Sequence, residues 1–252
     1  MLSGGDNSPQ VTLRESSSIL KDWRNGLDVD SVLRGQGADP TLIRSRKPAV
    51  VTFAGRALDE GMSLLDPIVI YRTLQVESVR HERIALQGGA LFTAKLVAEH
   101  LSGAQEIVVI AATIGSGVED LTSQMLNHDP MYALALDGFG NAAIETLAIA
   151  ICRHFSEAAS AEGMSASIPV SPGTMGWPTE VGQKEIFGVL HTDKFGLKLS
   201  SYGVMIPRKS LSMVVGLGPE MEQGANACTY CSMQGSCRYQ DIPGRLSRES
   251  RK

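Results

Sequence analysis

The chain has 252 residues, a formal net charge of -4, 43% hydrophobic residues and 20% charged residues. A chain of that length buries enough surface to build a core without disulfides or metal, and the composition is globular rather than disordered. The acidic balance argues against the broad basic face that displaces counterions from nucleic acid, so no nucleic-acid partner is expected.

Residues 1–10, MLSGGDNSPQ, are polar, lack the basic and apolar regions of a signal peptide and read as a disordered N-terminus. No stretch is read as reaching the ~18 apolar residues of a membrane span. The expectation is a cytoplasmic protein without a membrane partner. In SSSILKDW and VDSVLRGQG, Ser and Asp are placed to cap short helices. ALDEGMSLLDP reads as a helix stopped before Pro67. PIVIYRTLQVESV follows, with the β-branched content of a strand. GGALFTAKLVAEHLSGAQ places Leu91, Phe92, Leu96 and Val97 at roughly helical spacing, with Gly103 to end the helix.

IVVIAATIGSGVEDL reads as a buried strand, a glycine turn and a helix start. The turn lacks both G-x-G-x-x-G and GK[ST], so it is read as a turn and not a phosphate loop. DGFGNAAIETLAIAICRHFSEAAS gives the clearest helix, with Ile144, Leu147, Ile151 and Phe155 on one face. Within it Cys152 reads as a small core residue, and Glu145 is either solvated or turned into a site. IPVSPGTMGWP is turn-rich, QKEIFGVLHTD reads as a short helix, and FGLKLSSYGVMIPRKSLSMVVGLG as two strands joined by a turn at Pro207. Helices and strands mix without regular βαβ alternation, which favours an α+β domain.

The five histidines show no metal-ligand spacing, and no HExxH, G-x-S-x-G or Cys-His pairing is present. The remaining chemistry lies in CTYCSMQGSC, where Cys228, Cys231 and Cys237 form C-x2-C-x5-C. A C-x2-C turn aims two thiolates at one ion, and in a reducing compartment clustered cysteines read as metal-binding or redox-active. An iron–sulfur cluster, zinc and free redox-active thiols all fit. Zinc and clusters usually take four ligands, and the fourth is open among Cys152, a His, a partner's residue and an exogenous group.

SPGTMGWPTEVGQKEIFGVL followed by GLKLSSYGVMIPRKSLS resembles the reactivation (S-adenosylmethionine-binding) domain of cobalamin-dependent methionine synthase. Ser171-Pro172-Gly173, Trp177-Pro178, Ile186-Phe187, Gly196 to Leu199, Met205, Pro207, Ser210 and Ser212 carry the likeness. TIGSGVEDL and AAIETLAIAI extend it more weakly toward the N-terminus. The resemblance implies an α+β domain with a bent antiparallel sheet and flanking helices. The resemblance covers residues 50–216; with the flanking residues the domain is expected over 11–220, followed by a cysteine-rich metal or cluster segment over 221–240 and a basic tail over 241–252.

By the same resemblance, Glu145 and the turn Ser171, Pro172, Gly173 and Thr174 would contact S-adenosylmethionine. The partner would be a corrinoid-binding protein or methyltransferase subunit that carries the cobalamin. The chain departs from the family at Pro169, where an Arg stands, and at Thr174, where a Tyr stands. The implied role is accessory: docking on the corrinoid protein and supporting its reductive reactivation, with the cysteines holding a cluster that passes the electron. Two other roles fit the same residues, a docking module with a structural zinc and a protein that only binds S-adenosylmethionine.

Overall fold

The computed structural model describes residues 10–13 and 22–221. In chain order the elements are β1 (Val11–Leu13), α1 (Val29–Gly35), α2 (Pro40–Arg46), α3 (Pro48–Gly61), β2 (Ile68–Arg80), β3 (Arg83–Leu86), β4 (Leu91–Thr93) and α4 (Lys95–His100). They continue with β5 (Glu106–Thr113), α5 (Gly117–Met125), α6 (Pro130–Ala161), β6 (Ser165–Ala166), α7 (Thr179–Val189), β7 (Lys198–Leu199), β8 (Met205–Ile206) and β9 (Ser210–Gly218).

The described strands pair antiparallel in the order β4-β3-β2-β5-β9-β6, with β1 added to β2 and a separate β7–β8 ribbon. β2 makes the sheet bend. Its first half pairs with β5, from Ile68 opposite Thr113 to Gln75 opposite Glu106. Its second half pairs with β3 after a register shift between Val76 and Ser78. A bulge of this kind increases local twist and turns the strand. The result is the mixed α+β domain with a curled antiparallel sheet that the sequence led us to expect.

Both faces of the central strands are covered, which explains why β5 is apolar throughout instead of alternating. Val108, Ile110 and Ala112 face a first core with residues of α1, α3 and α6. Ile107, Val109 and Ala111 face a second core with residues of α4, α7 and the 168–177 segment. Tyr71 of β2 meets Phe155 of α6 edge-on, with ring centroids 5.0 Å apart.

The helix starts follow local chemistry. Asp28 accepts from Ser31 N while Ser31 Oγ accepts from Asp28 N, a reciprocal cap on α1. Asp39 caps α2 and Asp129 caps α6, each followed by a proline at the first helical position. An electrostatic clip ties α3 to α6. The Arg56 guanidinium lies 3.7 Å from the Tyr132 ring centroid and donates to Glu60, which also accepts from the Tyr132 hydroxyl. The hydrogen bond from Tyr132, then that from Arg56, hold the Glu60 carboxyl below its ordinary range.

Several expectations are corrected. The helix expected over GGALFTAKLVAEHLSGAQ is confined to α4, and Leu91 and Phe92 belong to strand β4. Phe92 pairs with Ile84 and is 1% exposed, so burial at the sheet edge overrides the helical spacing. The strand expected before Pro207 folds on itself as the β7–β8 ribbon, and β9 pairs with β5 instead. The helix ending before Pro67 begins at Pro48, and the long helix begins at Pro130, seven residues before Asp137. α6 is also long and apolar enough to cross a bilayer, contrary to the sequence reading; yet 56% of its most apolar window is buried, as befits a core helix.

Candidate functional site

Glu145 lies on α6 beside a cleft of about 460 Å³. The opposite wall is the turn Asp22–Gly26 and helix α1. Asp22, Ser31, Arg34, Glu145, Thr146 and Arg153 supply its polar lining. The turn is held by Trp23, which is 2% exposed in the first core. Gly26 allows the backbone to press on α6, since a Cβ there would sit 2.9 Å from Thr146 Cγ2. Asp22 takes a left-handed conformation at φ 62°, which Asp tolerates better than most residues.

The Oε1 atom of Glu145 is covered, while the residue as a whole is half-buried. The cleft lining thus carries two carboxylates, Asp22 and Glu145, and two guanidiniums, Arg34 and Arg153, of which Arg34 also lies 3.9 Å from Asp28. A guanidinium fork suits a carboxylate, and a carboxylate suits an ammonium or sulfonium. An amino acid head group matches that chemistry. Only Glu145 of these residues was singled out from the sequence. Asp22 and Arg34 come from the turn and helix near the N-terminus and Arg153 from the helix that carries Glu145, so the lining joins two segments far apart in sequence.

The turn Ser171–Thr174 belongs to the layer on the other face of the sheet, between Val170 and Met175 of the second core. None of its residues lines the Glu145 cleft. Its polar groups are tied down internally. Gly173 N donates to Trp177 O (2.7 Å), Thr174 N to Ser171 O (3.0 Å) and Thr174 Oγ1 to Ser171 O (2.6 Å). Gly173 has φ 92°, so the turn needs a residue without a side chain there. Pro172 and Trp177 pack on Gly182 of α7. Trp177 Nε1 donates to Glu185 Oε2 (2.8 Å), and Glu185 also accepts from Thr93 of β4. The expected ligand contacts are therefore divided, Glu145 on one side of the sheet and the turn on the other. Pro169, just before this turn, has no backbone N–H to donate.

The glycine turn of TIGSG is structural. Gly115 N donates to Thr113 Oγ1 (3.1 Å), and Gly117 is backed by Leu64 O, 2.7 Å from where a Cβ would sit. A cluster not foreseen from the sequence joins Lys209, the residue before β9, to α6. Lys209 Nζ donates to Asp137 Oδ1 (2.6 Å) and Asn141 Oδ1 (2.7 Å), with its stem over Gly140.

Cys228, Cys231 and Cys237 lie outside the described residues. Among the described residues no group of three or more His, Cys, Asp or Glu is placed to hold a metal. Cys152, one of the candidates for a fourth ligand, sits in the first core with Sγ 3.9 Å from Met213 Sδ. Burial pushes its thiol up to about 12. Such a thiol is neither a ready ligand nor a nucleophile. In native protein at pH 8, Cys152 is expected to resist alkylation and to be labelled only on unfolding, read by peptide mass mapping. Labelling of Cys152 in the folded protein would contradict this packing.

No family model and no curated protein sequence matches the chain. Among solved structures, the chain is similar to the MetH reactivation domain, determined as a crystal structure bound to AdoHcy. The TM-score is 0.63 at 15% sequence identity, over 86% of this chain and 81% of that one. The likeness establishes the fold: this chain is built like that reactivation domain over nearly the whole of its length.

Proposed function

We propose that this chain is an activation component of a cobalamin-dependent methyltransferase system of the methionine synthase type, acting in the cytoplasm. The observation that carries the reading is the extent of the structural likeness. It spans 81% of a domain seen with AdoHcy bound, so it is not confined to a common supersecondary motif. The domain proper runs over residues 11–220, and the cysteine-rich segment and basic tail follow it.

The ligand in this reading is S-adenosylmethionine, with S-adenosylhomocysteine as its product. It occupies the Glu145 cleft, whose size suits a ligand of that class. Arg34 and Arg153 face the ligand carboxylate, while Glu145 and Asp22 face its ammonium and, in S-adenosylmethionine, its sulfonium. The turn Ser171–Thr174 then serves to position the surface around α7 and not to hold the ligand. The partner is a corrinoid-binding protein that carries the cobalamin. The cobalamin held by that partner would supply the redox and methyl-accepting chemistry, while Glu145, Asp22, Arg34 and Arg153 would hold the methyl donor. The cofactors carry that chemistry, and the chain binds and orients.

Cys228, Cys231 and Cys237 supply three thiolates of an iron–sulfur cluster that delivers the electron, completed by a ligand from outside Cys152. Anaerobic purification with iron, zinc and acid-labile sulfide analysis tests this part. Iron with sulfide supports it. Zinc alone makes the segment a structural clip, and the chain a docking module without redox chemistry.

Calorimetry with S-adenosylhomocysteine tests the ligand site. The wild type is expected to bind, and Glu145→Ala to bind at least about tenfold more weakly, or about 1.4 kcal/mol. Equal affinity in the variant would move the ligand away from the cleft, and absence of heat at millimolar ligand would exclude binding by the free protein.

A further inference from the structure

A second cavity, of about 320 Å³, lies between β2, the β3–β4 turn and α7 and shares no lining residue with the Glu145 cleft. Arg72 and Leu74 of β2, Gln87 and Gly89 of the turn, and Lys184 and Gly188 of α7 form its walls. Gly89 and Gly188 leave it open, since a Cβ on either would meet nothing within 4 Å. Glu185, the one acidic lining residue among those described, already accepts from Thr93 and Trp177. Lys184 also reaches Glu180 at 2.7 Å, but their side chains are 64% and 67% exposed. A pair that open to water is weak, so Lys184 keeps its charge available to the cavity.

The sheet edge beside this cavity has a gap. β2 carries β5 on one edge, from Ile68 to Gln75. On the opposite edge β1 covers Val69 to Tyr71, and β3 begins at Val76. Residues 72–75 therefore have no strand on that edge among the described residues. Such an edge is a template for another extended segment. β1 is aimed at the gap. It runs antiparallel to β2 with Val11 opposite Tyr71, which brings Gln10 opposite Arg72. Gln10 is clamped at the entrance, where its Nε2 donates to His191 O (3.3 Å) and its Oε1 accepts from His191 N (2.7 Å). His191 lies just past the end of α7.

We propose that this cavity is the docking site of the chain's own residues 4–9, GGDNSP, laid along β2 as a continuation of β1. Pro9 holds itself and Ser8 extended. Side chains alternate along an extended segment. Gln10 faces α7, so Ser8 and Asp6 face it too. Asp6 is the one charged side chain in residues 1–9 and stands four residues from Gln10, about 13 Å of extended chain. Lys184 stands seven residues from His191, about 10 Å along the helix. Both lengths run from the Gln10–His191 clamp, so the Asp6 carboxylate meets the Lys184 ammonium across the cavity. The docked segment covers the gap and keeps other chains from pairing there. The site stands independently of the functional reading above.

Carbodiimide coupling of the full chain tests this, because it joins a carboxylate to an amine only where the two are in contact. Peptide mass mapping of the monomer is expected to show Asp6 joined to Lys184 ahead of every other lysine. Hydrogen–deuterium exchange then compares the wild type with a variant lacking residues 1–8, which keeps β1 and the Gln10 clamp. The shortened variant is expected to exchange amides of residues 72–75 and 86–91 at least about tenfold faster, with residues 106–113 of β5 unchanged as the control. Absence of the Asp6–Lys184 link in the monomer overturns the proposal, as does exchange in the shortened variant within about twofold of wild type. A link found only between chains would give the cavity to the segment of a second copy and overturn it as well.

Discussion

Replacing Trp177 with Ala is expected to destabilise the domain by about 3–5 kcal/mol, the range for deleting a fully buried aromatic. Trp177 is 1% exposed and joins three parts of the second core. Its ring meets Phe92 of β4 edge-on at 5.3 Å, its face backs Gly182 of α7, and its indole N–H donates to Glu185. Truncation therefore opens a cavity and takes one donor from a carboxylate that is left with Thr93. Trp177→Phe separates the two effects. It keeps much of the packing and should cost roughly 1–3 kcal/mol, mostly for the lost hydrogen bond to a charged acceptor. Urea denaturation measures both. A loss below about 1 kcal/mol for Trp177→Ala would mean that the 171–178 turn does not brace α7 against β4.

Gly35→Val is expected to cost about 3 kcal/mol or more, the upper part of the range for overpacking a well-packed contact. At this crossing α1 and α6 touch backbone to backbone. A Cβ on Gly35 would sit 2.1 Å from Gly138 O, and one on Gly138 would sit 2.9 Å from Val32 O. Asn141 Nδ2 also donates to Gly35 O (3.0 Å) and fixes the register of the two helices. Neither backbone can yield without separating the helices, and that separation would also deform the Glu145 cleft, which α1 and α6 wall. The variant should thus lose stability and S-adenosylhomocysteine binding together. Gly55→Ala in α3 serves as the control. A Cβ there meets nothing within 4 Å, so helix propensity alone should raise stability by about 0.5–1 kcal/mol. Equal effects at Gly35 and Gly55 would contradict the close crossing.

The sequence disclosed those parts of the molecule whose signal is local. The apolar face of α6 through Leu147, Ile151 and Phe155 follows helical period, and all three are buried. The continuous apolar run of β5 marked a strand covered on both faces, and the β-branched content of 67–79 marked β2. Local chemistry misled where tertiary partners decided. Leu91 and Phe92 have helical spacing, yet pairing with β3 draws them into a strand. The hairpin within 198–206 gave no hydrophobic alternation long enough to separate it from a single strand, because each of its strands has two residues.

The candidate site was legible only in part for a related reason. Glu145 drew attention as a carboxylate among apolar residues. The guanidiniums that complete its cleft come from α1 and the later turns of α6, and the opposing acid from a turn more than 100 residues earlier in the chain. The turn Ser171–Thr174 carries the strongest local likeness to the reactivation domain, yet its hydrogen bonds close on themselves.

The most direct measurement is the rate at which methylcobalamin is regenerated from a cob(II)alamin-loaded corrinoid-binding protein, with titanium(III) citrate as electron donor and S-adenosylmethionine as methyl donor, followed by visible spectroscopy. The account predicts that adding this chain accelerates methylcobalamin formation in proportion to complex formed, and that Glu145→Ala abolishes the gain. A rate unchanged by saturating amounts of the folded wild-type chain would contradict it.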